Sequence, residues 1–235
     1  MNKRKVKLIV IISIITVFII TSVILAITVF VPHIQHKRAV RAFEKYYNDK
    51  ISLYKQENKD IKPFEIDVVF LGDSLTDGCD LKKFYPEYKT LNRGIGGDTT
   101  AGLLERIKVS VYDVKPKVCV MLIGGNNLDT MFNDYEKILK GLKNNIPDTK
   151  VILVSLTAMG GDYKEKNHIA AYNNIKIKTL AQKYGYQFVD VFPLLLNQKT
   201  DEIYKKYTID GIHFSDEGYT VLTSAINKKI AEVIE

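Results

Sequence analysis

From residue 66 to the carboxyl end, short apolar runs alternate with stretches whose apolar residues recur every three or four positions. The runs lie at 66–71, 118–123, 151–156 and 188–191, mostly rich in Val and Ile, with a more polar strand candidate at 90–93. Runs of that length and composition read as buried strands. The stretches between them carry Leu104/Ile107/Val111, Phe132/Tyr135/Leu139/Leu142 and Ile169/Tyr172/Ile175, and the last carries Tyr219/Leu222/Ile226/Ile230/Val233. Such spacing makes a one-sided helix. A strand, a helix and a further strand form a crossover that lays the two strands parallel. The alternation therefore predicts one three-layer α/β domain over residues 64–235, with a five-stranded parallel sheet covered on both faces. That length is enough to bury a full core.

A different composition precedes it. Residues 8–31 hold 24 positions without a charge, roughly 36 Å of helix at 1.5 Å per residue, against a hydrocarbon core of about 30 Å. Lys3, Arg4, Lys5 and Lys7 form a basic flank over residues 1–7. The run is longer than a cleaved signal requires, and no small-x-small site follows it, so an uncleaved transmembrane signal anchor is expected. Residues 32–63 read as a juxtamembrane helix or stalk, with Val40, Phe43, Tyr47 and Tyr54 at helical spacing and free to pack on the domain instead; Pro63 closes the segment. Four basic residues before the span face Lys37, Arg38 and Arg41 after it. The small excess favours an amino terminus inside and a domain outside the cytoplasm.

The formal charge of +7 belongs to the same segment: residues 1–62 hold 12 basic and 4 acidic side chains, and residues 63–235 hold 22 and 23. A domain without excess positive charge lacks the footprint of a nucleic-acid binder, so no nucleic-acid partner is expected. Two cysteines, Cys79 and Cys119, make no disulfide framework, and four scattered histidines make no metal cluster. No metal and no cofactor are expected. Gly94-Ile95-Gly96 resembles the start of a dinucleotide fingerprint, but Thr99 stands at the third glycine position.

Chemistry in an open parallel sheet sits just beyond the carboxyl ends of the strands. The first strand runs into Gly72-Asp73-Ser74-Leu75, which puts Ser74 where a nucleophile would stand, although an ordinary polar turn has the same residues. The second ends in Asn92-Arg93-Gly94-Ile95-Gly96-Gly97-Asp98-Thr99 and the third in Gly124-Gly125-Asn126-Asn127. Asp210-Gly211-Ile212-His213 precedes the last helix. No Gly-x-Ser-x-Gly elbow surrounds Ser74, which argues against an α/β-hydrolase fold.

Taken together and in this order, the four blocks resemble the SGNH, or GDSL-type, hydrolase superfamily over roughly residues 66–233. The resemblance implies a flavodoxin-like fold and a serine esterase. It makes Ser74 the nucleophile and Asp210 and His213 the acid and base of a triad. Ser74, Gly97 and Asn126 become the oxyanion donors. Asn127 stands where many members have Asp, a departure that touches no catalytic role. The chemistry agrees: a serine hydroxyl needs a neighbouring base, and a carboxylate fixes that imidazole's tautomer. His168 lies in a charged helical stretch, which leaves His213 as the strand-end histidine. Asp73 and Asp98, each beside Gly in a tight turn, are expected to bond nearby backbone. The expected activity is hydrolysis of an ester, such as an acetylated carbohydrate or a lipid. The alternatives are acyl transfer to a surface glycan and a catalytically silent surface-binding domain.

Overall fold

A computed structural model describes residues 2–234. The chain divides into two compact units, Met1–Asp49 and Lys50–Glu235.

The first unit is helical. Helix α1 (Lys3–Leu25) passes through a π-helical turn, Ala26–Phe30, into α2 (Val31–Glu57). The π turn precedes Pro32, which has no N–H to return to the carbonyl four residues back. In α1 the apolar side chains are exposed all round, and one 18-residue window has a mean hydropathy of 3.1. Three of its hydroxyls bond back within the helix: Ser13 donates to the Ile9 carbonyl at 3.0 Å, Thr16 to that of Ile12 at 2.9 Å and Thr21 to that of Phe18 at 2.9 Å. A helix with polar groups satisfied internally and apolar groups outward suits a hydrocarbon solvent. Among the described residues, this is the one helix long and apolar enough to cross a membrane.

The second unit begins at Lys50, inside α2, and so takes in the last turns of that helix. There Tyr54 is 1% exposed, whereas Val40 and Phe43, earlier in the helix, are exposed. In chain order the unit contains β1 (Val68–Gly72), α3 (Ser74–Asp77), α4 (Leu81–Phe84), β2 (Thr90–Gly94), α5 (Thr100–Ile107) and β3 (Val118–Leu122). It continues with α6 (Phe132–Asn145), β4 (Lys150–Val154), α7 (Asn167–Tyr184), β5 (Gln187–Val189) and α8 (Phe192–Leu195). A two-stranded hairpin, β6 (Leu196–Asn197) with β7 (Glu202–Ile203), and α9 (Asp216–Val233) complete it.

The five long strands form one parallel sheet in the order β2-β1-β3-β4-β5. This is the flavodoxin-like order expected of such a chain. Every residue of β1 and β3 is buried, as a strand covered on both faces requires. Helices α5, α6 and α7 pack along one face. Helix α9, with α4 and α8 beside it, packs on the other, where Phe70 meets Tyr85 at 4.5 Å between ring centres. Helix α9 starts as its sequence predicts, with Ser215 accepting from the Gly218 N–H at 3.2 Å and Asp216 and Glu217 in the first turn. Gly72 pairs with Gly94 on one side and Leu122 on the other, so the ends of three strands lie level.

One helix faces the core differently from the sequence expectation. In α7 the buried positions are Asn167, Ala170, Asn173, Asn174, Ile177, Leu180 and Ala181, while Tyr172 and Ile175 are 71% and 67% exposed. Three buried asparagines interrupt the apolar face. Their amides bond backbone groups, which is the condition for burying them. The last sheet strand also ends earlier than expected, at Val189, because Pro193 sits in the first turn of α8 immediately beyond.

Candidate active site

Ser74 is the first residue of α3, two residues past the end of β1. Asp73 caps that short helix by accepting the Leu75 N–H at 3.1 Å. Gly72 is required by close packing: a Cβ there would lie 2.0 Å from Thr76 Oγ1 and 2.5 Å from the Leu122 carbonyl oxygen. The strand end and the helix are thereby pressed together, and the Ser74 hydroxyl is left at the surface of the turn.

His213 reaches it from the loop before α9. Its Nε2 is 3.1 Å from Ser74 Oγ, and its Nδ1 is 2.6 Å from Asp210 Oδ2. Asp210 Oδ1 accepts from the backbone N–H of Ile212 at 2.9 Å and of His213 at 2.7 Å. The hydrogen bond from His213, followed by those backbone donors, holds the Asp210 carboxyl down at about 2. The loop is pinned to its surroundings by Thr208, whose hydroxyl donates to the His213 carbonyl at 2.8 Å. Gly160 donates to the Gly211 carbonyl at 2.8 Å. Gly211 has φ 94°, and a Cβ on it would stand 2.5 Å from the Gly160 oxygen, so only glycine fits.

The second and third blocks lie beside this pair. Gly97 is exposed with φ 77°. Asn126 is exposed, and its amide donates to the Asp98 carbonyl at 2.8 Å, which leaves its second N–H free of that bond. Asn127, the departure in the third block, donates to Thr100 Oγ1 at 2.9 Å and so helps hold the start of α5. Asp73 and Asp98 bond backbone as expected: the latter accepts the Thr99 N–H at 2.8 Å. Burial drives the Asp73 carboxyl up to about 7, with the Asp98 charge adding to it. Burial also raises Asp98, against the opposing pull of Arg106.

Arg106 was not singled out by the sequence. It is 2% exposed, and its guanidinium donates to Asp98 Oδ2 at 2.7 Å, the Arg93 carbonyl at 2.8 Å, Ser110 Oγ at 2.9 Å and the Gly72 carbonyl at 3.0 Å. One side chain thus ties the nucleophile strand to the second block. The available signal was a charged residue at the buried spacing of α5, next to Leu103 and Ile107. Asn92 does comparable work, with its amide on the Thr76 carbonyl at 2.7 Å and its oxygen on the Gly94 N–H at 2.9 Å.

A cavity of about 140 Å³ opens beside Ser74 and Asn126. Leu122, Leu128, Leu156, Met159 and Ile212 make its apolar wall; Tyr163 and Lys166 line it from the segment before α7. The asparagines of α7 hold that wall in place. Asn173 donates to the Leu128 carbonyl at 2.8 Å, Asn174 bonds both backbone groups of Leu156, and Asn167 bonds both of Met159. Cys79 takes no part: burial pushes its thiol up to about 12. Cys119 is buried in β3, as its apolar setting implied. Among the described residues no group of three His, Cys, Asp or Glu side chains is placed to hold a metal.

The family model described as GDSL-like Lipase/Acylhydrolase family matches residues 70–221. The chain is 27% identical over 191 residues to platelet-activating factor acetylhydrolase IB subunit alpha2 of Homo sapiens, spanning 75% of this chain and 81% of that protein. A GDSL-like lipase from Bacteroides thetaiotaomicron has a similar structure, with a TM-score of 0.69, 24% identity and coverage of 77% of this chain and 97% of that one. An acetylxylan esterase from Geobacillus stearothermophilus superposes with a TM-score of 0.58 at 22% identity, over 72% and 95% of the two chains. These structural likenesses carry the three-layer fold.

Proposed function

We infer the reaction from one premise: the chain belongs to the GDSL-like lipase/acylhydrolase family and is a serine hydrolase acting on esters. Ser74 is the nucleophile. His213 takes its proton through Nε2 as the hydroxyl oxygen attacks the ester carbonyl, and Asp210 keeps Nδ1 protonated and the ring oriented. The tetrahedral oxyanion is held by the backbone N–H groups of Ser74 and Gly97 and by the free amide N–H of Asn126. His213 then returns the proton to the departing alcohol. Water, activated by the same imidazole, releases the acid from the acyl-serine. The observation that carries this reading is the unbroken chain of contacts, 3.1 Å from Ser74 to His213 and 2.6 Å from His213 to Asp210, at the mouth of an apolar cavity.

The cavity is where the acyl chain goes. An apolar cavity of about 150 Å³ accommodates benzene, so about 140 Å³ takes a group of roughly six carbons. Two of the similar proteins are named for acetyl esters, which agrees with a short acyl group. Residues 8–31 anchor the chain in a membrane, with the catalytic unit outside the cytoplasm; the length of the apolar helix and the basic flank before it support this. On p-nitrophenyl esters from C2 to C12, kcat/KM is expected to hold up to about C6 and fall beyond it, with Ser74→Ala inert throughout. A maximum at C10 or C12 would refute the cavity as acyl site.

A further inference from the structure

The loop that carries Gly97 contains three glycines, Gly94, Gly96 and Gly97, and so has few side chains with which to fix its own shape. Part of its support comes from the core: the Ile95 N–H donates to the Gly72 carbonyl at 3.2 Å, and Asn92 accepts the Gly94 N–H. The rest comes from residues 50–58 of the second unit, the end of α2 and the residue after it.

β2 is an edge strand, so half of its backbone groups find no partner in the sheet. Tyr54 supplies one. Its hydroxyl donates to the buried Gly94 carbonyl at 2.6 Å, and its ring lies 4.5 Å from the Arg93 guanidinium. Arg93 is itself 1% exposed, although it sits on an edge strand, because it pairs with Glu57 and donates to Asn58 Oδ1 at 2.9 Å. Asn58 in turn donates to the Val109 carbonyl at 2.7 Å. One turn before Tyr54, Lys50 pairs with Asp77, the last residue of the nucleophile helix α3. The other oxygen of Asp77 accepts the Gly96 N–H at 3.3 Å. The helix end thus grips the glycine loop at Gly94 directly and at Gly96 through Asp77.

We propose that residues 50–58 are a clasp that aims the oxyanion loop, with Tyr54 as its principal positioning residue. The inference rests on the reading of Gly97 as an oxyanion donor. Gly97 sits three residues past the Tyr54 contact, in a left-handed conformation that its neighbours must hold. A loop freed at Gly94 swings the Gly97 N–H away from the place where the oxyanion develops. Interactions made only in the transition state appear in kcat, and small misplacements there are costly. Substrate binding in the apolar cavity does not involve the clasp, so KM is unaffected.

Tyr54→Phe keeps the ring against Arg93 and removes only the hydroxyl. In the full chain, solubilised in detergent and assayed on p-nitrophenyl acetate, it is expected to lower kcat about 10-fold or more, with KM within twofold and an unfolding midpoint close to that of the parent. Lys50→Met, which acts from the other side through Asp77, is expected to lower kcat in the same way. It also supplies the reading if Tyr54→Phe fails to fold. A parent-like kcat in both variants overturns the clasp alone. A kcat loss that only tracks the fraction of unfolded protein does the same. A parent chain that hydrolyses no ester and is not modified by a serine-directed phosphonate overturns the nucleophile reading, and the clasp with it.

Discussion

Arg106→Met puts the internal scaffold of the site under the heaviest load. The substitution keeps most of the side-chain volume and deletes the guanidinium. Asp98, 3% exposed, then loses its one ion-pair partner, and the carbonyls of Gly72 and Arg93 and the hydroxyl of Ser110 lose a donor. Stranding one member of a buried ion pair costs about 3–5 kcal/mol. For a domain of this size each kcal/mol moves Tm by about 2–4 °C, so the expected fall is about 6–20 °C. The chain has 14 tyrosines and no tryptophan, so near-ultraviolet circular dichroism of the tyrosines follows the melt. Two controls separate charge from packing. Asp98→Asn combined with Arg106→Met removes the stranded charge and should recover at least half of the loss. Lowering the pH should also narrow the deficit of the single variant, because burial raises the Asp98 carboxyl and a native state that binds the extra proton gains stability as pH falls. A Tm within about 2 °C of the parent, or a double variant no better than the single one, would refute the reasoning.

Other outcomes follow from the same geometry. Asn126→Ala should lower kcat by about 10²–10³ with little change in KM, measured by steady-state hydrolysis of p-nitrophenyl acetate, because its free N–H serves the transition state. Burial raises the Asp73 carboxyl from its ordinary value of 3.8 to about 7, so between those values the native state holds a proton that the unfolded chain has lost. Stability from this group is present below about 4 and is lost as pH rises toward about 7, and Asp73→Asn should flatten that slope in melts taken from pH 4.5 to 7.5. Ionisation of Asp73 beneath the reacting serine should also depress kcat above pH 7, a fall that a pH–rate profile of Asp73→Asn would lack.

What the sequence made legible follows from how local each signal is. β1 and β3 announce themselves because all their positions are buried, so the strand is a continuous apolar word. Ser74, Asp210 and His213 stand out because each sits in a short block at a strand end or before a helix. The α7 face was misread because hydrogen-bonded asparagines occupy core positions there, and hydropathy counts a satisfied amide as polar. The buried roles of Arg93 and Arg106 were missed for a related reason. Contacts that bind them into the fold reach far along the chain, as with Arg106 on the Gly72 carbonyl 34 residues away and Arg93 on Glu57 36 residues away, and spacing in one stretch carries no trace of them. The β6–β7 hairpin, two residues per strand, is too short for any period to show.

Covalent capture of the nucleophile bears most directly on the mechanism. A fluorophosphonate ester reacts with a serine only when a base has activated it and donors receive its oxyanion. Intact-mass and peptide mass spectrometry of the full chain after treatment should show one adduct, on the peptide containing Ser74. Labelling should be lost in Ser74→Ala and should slow by several orders of magnitude in His213→Ala. An unmodified chain, or an adduct that persists in Ser74→Ala, would contradict the assignment of Ser74 and His213.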